Sequence, residues 1–192
     1  MQRTTDLVNA AYGGGHFCVY QTPMAVPNWQ MMFMADAFWI SGKSKDRSTK
    51  CGAVIVTPDN DIVTRGWNDH PRGLPDYSER RQRPAKYVFT EHAERNAIYN
   101  AARLGVSTKG CSIYVNRVPC PDCARAIIQS GIRQVYACVA EDERAFAARN
   151  NTAESLTMFR ECMVELTLMP VEVFEFYDRR RYEPFNHSPH RG

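Results

Sequence analysis

The chain has 192 residues, 44% of them hydrophobic and 23% charged, the balance of a soluble globular domain and not of a disordered or fibrous chain. Its 24 Lys and Arg against 21 Asp and Glu leave a net charge of +3, and the pI near 8.5 stays short of the range above about 9 that marks a nucleic-acid-binding domain. Seven cysteines, an odd number, and no apolar export segment near Met1 point to a cytoplasmic protein without a disulfide framework, whose closely spaced thiols serve metal or redox chemistry.

Residues 1–28 mix Gly13-Gly14-Gly15, Pro23 and Pro27 with scattered aromatics and read as an arm. Residues 29–41 are apolar on nearly every face, which predicts a helix buried between layers and stopped by Gly42. Interrupted by Asp36, this run is too short to cross a bilayer. The β-branched runs 53–57 and 62–67, separated by Pro58-Asp59-Asn60-Asp61, predict a hairpin. Residues 68–90 form a Pro-rich, charged loop of a length that is usually functional or mobile. Apolar spacing then predicts a helix over 91–104, with Thr90 as N-cap and Gly105 as stop, and Pro121 opens another that ends at Gly131. Strands over 112–116, 135–139 and 164–169 and a helix over 143–160 complete the alternation. It implies a largely parallel sheet with helices on both faces, entered through one antiparallel hairpin. Residues 171–176 read as an edge strand and 177–192 as a tail, so the expected catalytic unit runs from 29 to 176.

Two short segments carry the chemistry: His92-Ala93-Glu94 at one helix start and Pro119-Cys120-Pro121-Asp122-Cys123 at the next. Alone, the Cys-x-x-Cys could be a redox dithiol and the His-x-Glu ordinary surface chemistry. Together they make the signature of zinc nucleobase deaminases. A catalytic zinc takes three protein ligands, which His92, Cys120 and Cys123 supply, and keeps its fourth position open. Two helix N-termini favour the ionised thiolates. Glu94, not needed as a ligand, is placed to move protons. A purely structural zinc would be closed by a fourth ligand and would have no use for it. The other cysteines, Cys18, Cys51, Cys111, Cys138 and Cys162, read as small core residues.

On these segments the chain resembles the deoxycytidylate (dCMP) deaminases of the cytidine deaminase superfamily. The likeness extends through Ser44-Lys45-Asp46, Gly52-Ala53-Val54-Ile55-Val56, Gly66-Trp67-Asn68 with Pro71 and Gly73, Asn96-Ala97-Ile98 and Gln129-Ser130-Gly131-Ile132. It implies a three-layer α/β/α fold around a five-stranded mixed sheet, and zinc-dependent conversion of dCMP and water to dUMP and ammonia for thymidylate supply. It implies His92, Cys120 and Cys123 as zinc ligands, Glu94 as proton shuttle, Asn68 at the sugar and Ala93 with its backbone at the pyrimidine. Arg47 or Lys50 is expected at the 5′-phosphate. The same resemblance implies a homohexamer regulated by dCTP as activator and dTTP as inhibitor, bound with Mg2+ around Lys45, Asp69, Pro71 and Gly73.

Two departures stand out. Asp69 occupies a position where relatives usually have glycine, and Glu141-Asp142 stands where a tyrosine is expected near the nucleotide. A second, structural zinc at His16, Cys18, Cys51 and His70 has no spacing to support it. A tRNA adenosine deaminase shares the zinc motif and is the alternative enzyme, kept open by Arg179-Arg180-Arg181. A non-catalytic zinc or RNA-binding module is the alternative of another class, although Glu94 would be superfluous there.

Overall fold

The computed structural model describes residues 6, 9–13, 18–19, 28–139 and 143–170. In chain order the elements are β1 (Cys18–Val19), α1 (Trp29–Ser41), β2 (Gly52–Val56), β3 (Ile62–Trp67), the single helical turn α2 (Lys86–Phe89), α3 (Ala93–Leu104) and β4 (Ser112–Val115). There follow α4 (Pro121–Gln129), β5 (Gln134–Val139), α5 (Glu143–Asn150), α6 (Thr152–Glu161) and β6 (Glu165–Pro170). The five expected strands all form, as β2 to β6, in a mixed sheet, and the two-residue β1 of the arm adds a sixth at its edge, in the order β1-β6-β5-β4-β2-β3. Strand β2 is antiparallel to both β3 and β4, whereas β4, β5, β6 and β1 run parallel.

The three layers follow from strand alternation, since successive side chains point to opposite faces. Ala53, Ile55, Ile113, Val115, Val135, Ala137 and Val139 face one way and pack with Ala93 and Ala97 of α3, Ile127 of α4 and Phe159 of α6. Val54, Val56, Tyr114 and Cys138 face the other way and meet Phe33, Met34, Ala37 and Phe38 of α1. All of β2 is buried, as expected of a strand covered on both sides. A run of rings, Trp29 on Phe33, Phe33 on Tyr114 and Tyr114 on Tyr136, extends the α1 side of the core.

Several sequence expectations are corrected. Helix α1 is buried on one face only: Trp39 is 75% exposed, with Trp29 and Met32 also outward. The cap of α3 is His92, not Thr90, because residues 90 and 91 are extended and Glu91 bridges to Asp69. The expected helix 143–160 is two helices, broken where Asn151 adopts a left-handed conformation at φ 51°. The loop 68–90 contains a 3-10 turn, Ser78–Arg81, and α2. Cys111 and Cys138 are core residues, but Cys162 is exposed. The expected strand 171–176, the tail 177–192, Glu141-Asp142 and His16 lie outside the described residues, as does the side chain of Cys18. Among the described residues no helix is long and apolar enough to cross a membrane.

The fastening of α3 to β3 matters most for the site. Gly66 lets the two backbones touch: a Cβ there would lie 2.2 Å from Ala93 O and 2.5 Å from Ala97 N. Around this contact Thr64 Oγ1 donates to Ala97 O, Asn96 to Trp67 O and Asn100 to Arg65 O, at 2.9, 2.8 and 2.7 Å. The Asn96 and Asn100 side chains thus fall on one helical face. We expect Gly66→Ala to cost at least about 3 kcal/mol, since backbone atoms cannot yield as side chains do. That corresponds to a Tm about 6–12 °C lower, to be read by thermal denaturation of the purified variant.

Candidate active site

Helices α3 and α4 begin side by side, and their caps are His92 and Cys120. Neither caps with its side chain, which leaves the imidazole and the thiol to face each other. Pro121 at the first position of α4 has no N–H to satisfy there, and Cys123, within the first turn, turns its thiol toward the same point. His92 Nδ1 lies 3.5 Å from Cys120 Sγ and 3.5 Å from Cys123 Sγ. Zinc held tetrahedrally at about 2.3 Å from sulfur and about 2.05 Å from nitrogen sets those ligand atoms about 3.5 Å apart. The donor set and its spacing therefore fit zinc. Among the described residues this is the one cluster of three His, Cys, Asp or Glu groups able to hold a metal ion.

The electrostatics agree. Hydrogen bonding from Cys123, then from His92, pulls the Cys120 thiol down to about 4, against burial. The hydrogen bond with Cys120 raises His92 to about 9, and the same coupling to Cys120 pushes Cys123 up. A divalent cation that binds there displaces the protons these groups would otherwise hold. Glu94, on the first turn of α3, is 5% exposed. Burial pushes its carboxyl up, with the neighbouring His92 opposing. An Arg95 bridge steadies the pair of helices: its guanidinium bonds Glu91 at 2.5 Å on its own side and Asp122 of α4 at 3.4 Å, and Asp122 also pairs with Arg125.

A cavity of about 280 Å³ opens over these groups. Four cations line it, Arg83, Lys86, Arg117 and Arg149, against the two acids Asp46 and Glu94. Lys86 is committed locally, 2.8 Å from Asp46 and 2.6 Å from Ser48. Burial opposes ionisation of Asp46, but hydrogen bonds from Lys86, Ser48 and backbone amides outweigh it and hold the carboxyl at about 2.

The expected residues divide. His92, Glu94, Cys120 and Cys123 converge, and Ala93 is buried at the start of α3. Asn68 lines the cavity, yet its amide is engaged, donating to Thr49 O and accepting from Cys51 N at 2.9 and 2.7 Å. Asn116 performs the matching task one residue on, accepting from Gly52 N and donating to Lys50 O. Between them the two asparagines seat residues 49–52 at the cavity edge. Neither Arg47, which is exposed, nor Lys50 lines the cavity. Lys45 pairs with Asp76 at 2.6 Å, and Asp69 accepts from Arg81 at 3.1 Å. Pro71 and Gly73 form a turn closed by Leu74 N to Pro71 O. The residues not anticipated are Arg117, Phe146 and Arg149. Arg117 carries a signal in retrospect, since it lies on the short turn between a strand end and Cys120 that must face the metal. The charged run around Arg83 and Lys86 stood out by composition but not by position.

Zinc deaminases of nucleobases share this ligand set with its adjacent acid, and known proteins place the chain among them. Residues 27–139 match the model of the cytidine and deoxycytidylate deaminase zinc-binding region. An uncharacterized deaminase from the luxG 3′ region of Aliivibrio fischeri is 39% identical over 151 residues, 78% of this chain and 99% of that protein. The deoxycytidylate deaminase of Homo sapiens is 42% identical over 113 residues, 56% of this chain and 62% of its own length. Among solved structures, the dCMP deaminase of cyanophage S-TIM5 in complex with dCMP and dUMP superposes with a TM-score of 0.61 at 25% identity, covering 76% of this chain and 100% of that one. The chain belongs to the cytidine and deoxycytidylate deaminase family.

Proposed function

We propose that the protein is a dCMP deaminase, a cytoplasmic enzyme that hydrolyses dCMP to dUMP and ammonia in the supply of thymidylate, with the work done by the unit 29–176. The observation that carries this reading is the 3.5 Å spacing of His92 Nδ1 from both cysteine sulfurs beside a buried acid that is not one of the ligands. His92, Cys120 and Cys123 hold zinc, which when bound supplies a water acidic enough to attack near neutral pH. Glu94 takes a proton from the attacking water, delivers it to the ring nitrogen, and serves the departing ammonia in the same way. Its raised carboxyl suits a group that must both accept and return a proton. The Ala93 backbone at the first turn of α3 orients the base, and Asn68 shapes the sugar's side of the cavity. The lining, with Arg83, Lys86, Arg117 and Arg149 against Asp46 and Glu94, supports an anionic nucleotide over a free nucleoside.

The regulatory part of the proposal, a homohexamer activated by dCTP and inhibited by dTTP with Mg2+, comes from the family resemblance, and a second cavity of about 160 Å³ offers a place for an effector. Strand alternation puts Trp67 and Asp69 in that cavity and Asn68, between them, in the first. Its walls include His70, whose ring nitrogens are buried without a hydrogen bond, Nδ1 standing 3.8 Å from Asp76 Oδ1, and Asn100, whose Oδ1 has no hydrogen-bond partner. Unpaired buried polar atoms favour a polar ligand. With Mg2+ present, dTTP should lower and dCTP raise the initial rate by about fivefold or more; a rate indifferent to both removes the regulatory claim. The activity itself is tested by ammonia release from dCMP, dCTP, deoxycytidine, CMP and tRNA, with dCMP expected to be fastest. Preference for tRNA would overturn the assignment.

A further inference from the structure

The metal ligands come from two helices, and a chain of four charged side chains outside the ligand set joins those helices where they begin. Glu91 precedes the cap of α3 and is anchored by its backbone, donating to Asp69 O at 2.9 Å and accepting from Asp69 N at 3.2 Å. From there its Oε1 accepts the backbone N–H of His92 at 2.9 Å and Nε of Arg95 at 2.5 Å. The first bond satisfies a donor that a helix start leaves without an intrahelical partner, and it fixes the ligand's own backbone. Arg95, one helical turn on, carries the connection across to α4, with its Nη1 3.4 Å from Asp122 Oδ2. Asp122 stands next to Cys123 in the first turn of α4, and its other oxygen pairs with Arg125.

Glu91 and Arg95 are half-buried and Asp122 is exposed, so these pairs add little to the stability of the fold. What they constrain is a separation. His92 and Glu94 stand at the start of α3, Cys120 and Cys123 at the start of α4, and the ligands meet only while the two starts keep their distance. An arginine suits the task because its rigid fork engages two carboxylates from different nitrogens, where a lysine offers one point charge. The charges alternate from Glu91 through Arg95 and Asp122 to Arg125, so the chain brings no net charge to the metal. We infer that Arg95 is a positioning residue for zinc: held by Glu91 on its own side and by Asp122 on the other helix, it keeps His92 Nδ1 at 3.5 Å from both cysteine sulfurs before the metal arrives, which tightens zinc binding. This rests on the reading of His92, Cys120 and Cys123 as the zinc ligands.

The test measures zinc itself, by competition against a chelator of known affinity. Partners that stand behind metal ligands are commonly worth about ten- to a hundredfold in affinity, so Arg95→Gln and Asp122→Asn should each weaken zinc about tenfold or more. The double variant should bind no more weakly than Arg95→Gln alone, since both substitutions break the same bridge. Arg95→Lys, which keeps the charge without the fork, should stay weakened. The zinc-free forms of parent and variants should melt within about 4 °C of one another, as expected when only exposed or half-exposed ion pairs are lost; a role in the fold alone would lower those melting points and leave zinc affinity unchanged. Because Asp122 is exposed, Asp122→Asn decides the matter by itself should Arg95→Gln fail to fold. Additive losses in the double variant, or an unchanged zinc affinity in Asp122→Asn, overturn the inference and leave the zinc site standing. A parent chain that binds no zinc overturns the ligand assignment beneath it.

Discussion

Glu94→Gln should keep about one zinc per chain and lose about a thousandfold in turnover. The substitution preserves shape and burial but removes the only property the reaction needs from this side chain, the ability to accept a proton and give it back. Proton transfer by a positioned group is worth roughly a hundred- to ten-thousandfold, and here a single carboxyl serves several transfers in one cycle. Because Glu94 is 5% exposed and an ionised carboxylate is costly at such a place, the amide should not destabilise the fold, and the variant should melt no lower than the parent. Metal content by elemental analysis, ammonia release and thermal denaturation together make the check. Full activity in the variant would remove Glu94 from the mechanism, and loss of zinc would make it a ligand instead.

Cys120→Ala should lose the metal itself. The thiol of Cys120 is the one pulled down to about 4, by Cys123 and His92, so it is the group most ready to bind zinc as a thiolate. Without it, only His92 and Cys123 remain of the three-ligand set, one fewer than a catalytic zinc site requires. Zinc content should fall below about a tenth of an ion per chain, and activity with it. Since a metal that binds only the folded state stabilises it by mass action, a chelator should lower the Tm of the parent but leave that of Cys120→Ala unchanged. A variant that still carried one zinc per chain would contradict the ligand assignment.

The metal centre was legible because its information is local. A Cys-x-x-Cys at a helix start places two sulfurs within one turn, and a His-x-Glu at another puts a ligand at the cap and an acid two residues on in the first turn. The β-branched runs, Gly105 as helix stop and Pro121 as helix start were legible for the same reason, each being decided by neighbours a few residues away. Even so, local signals misplaced the cap of α3. Thr90 has the right side chain, but the Asp69 to Glu91 bridge draws residues 90 and 91 into extended backbone and moves the helix start to Ala93.

The charge, the arm and the outer faces needed the folded chain. The excess of +3 suggested an anionic ligand, yet Arg47 and Lys50, the cations nearest the expected strand, do not line the cavity, while Arg117 and Arg149, 32 residues apart in number, line it together. That convergence depends on the end of β4 and the helix after β5 lying side by side, which only strand order decides. The apolar richness of α1 predicts burial on all sides, but one sheet can cover only one face of a helix, so Trp39 is left outside. By itself, then, the sequence determined which atoms could bind a metal and move a proton, because that chemistry needs residues a turn apart. The tertiary structure alone decided which charges line the cavity, because pairing strands distant in sequence is what brings those side chains together.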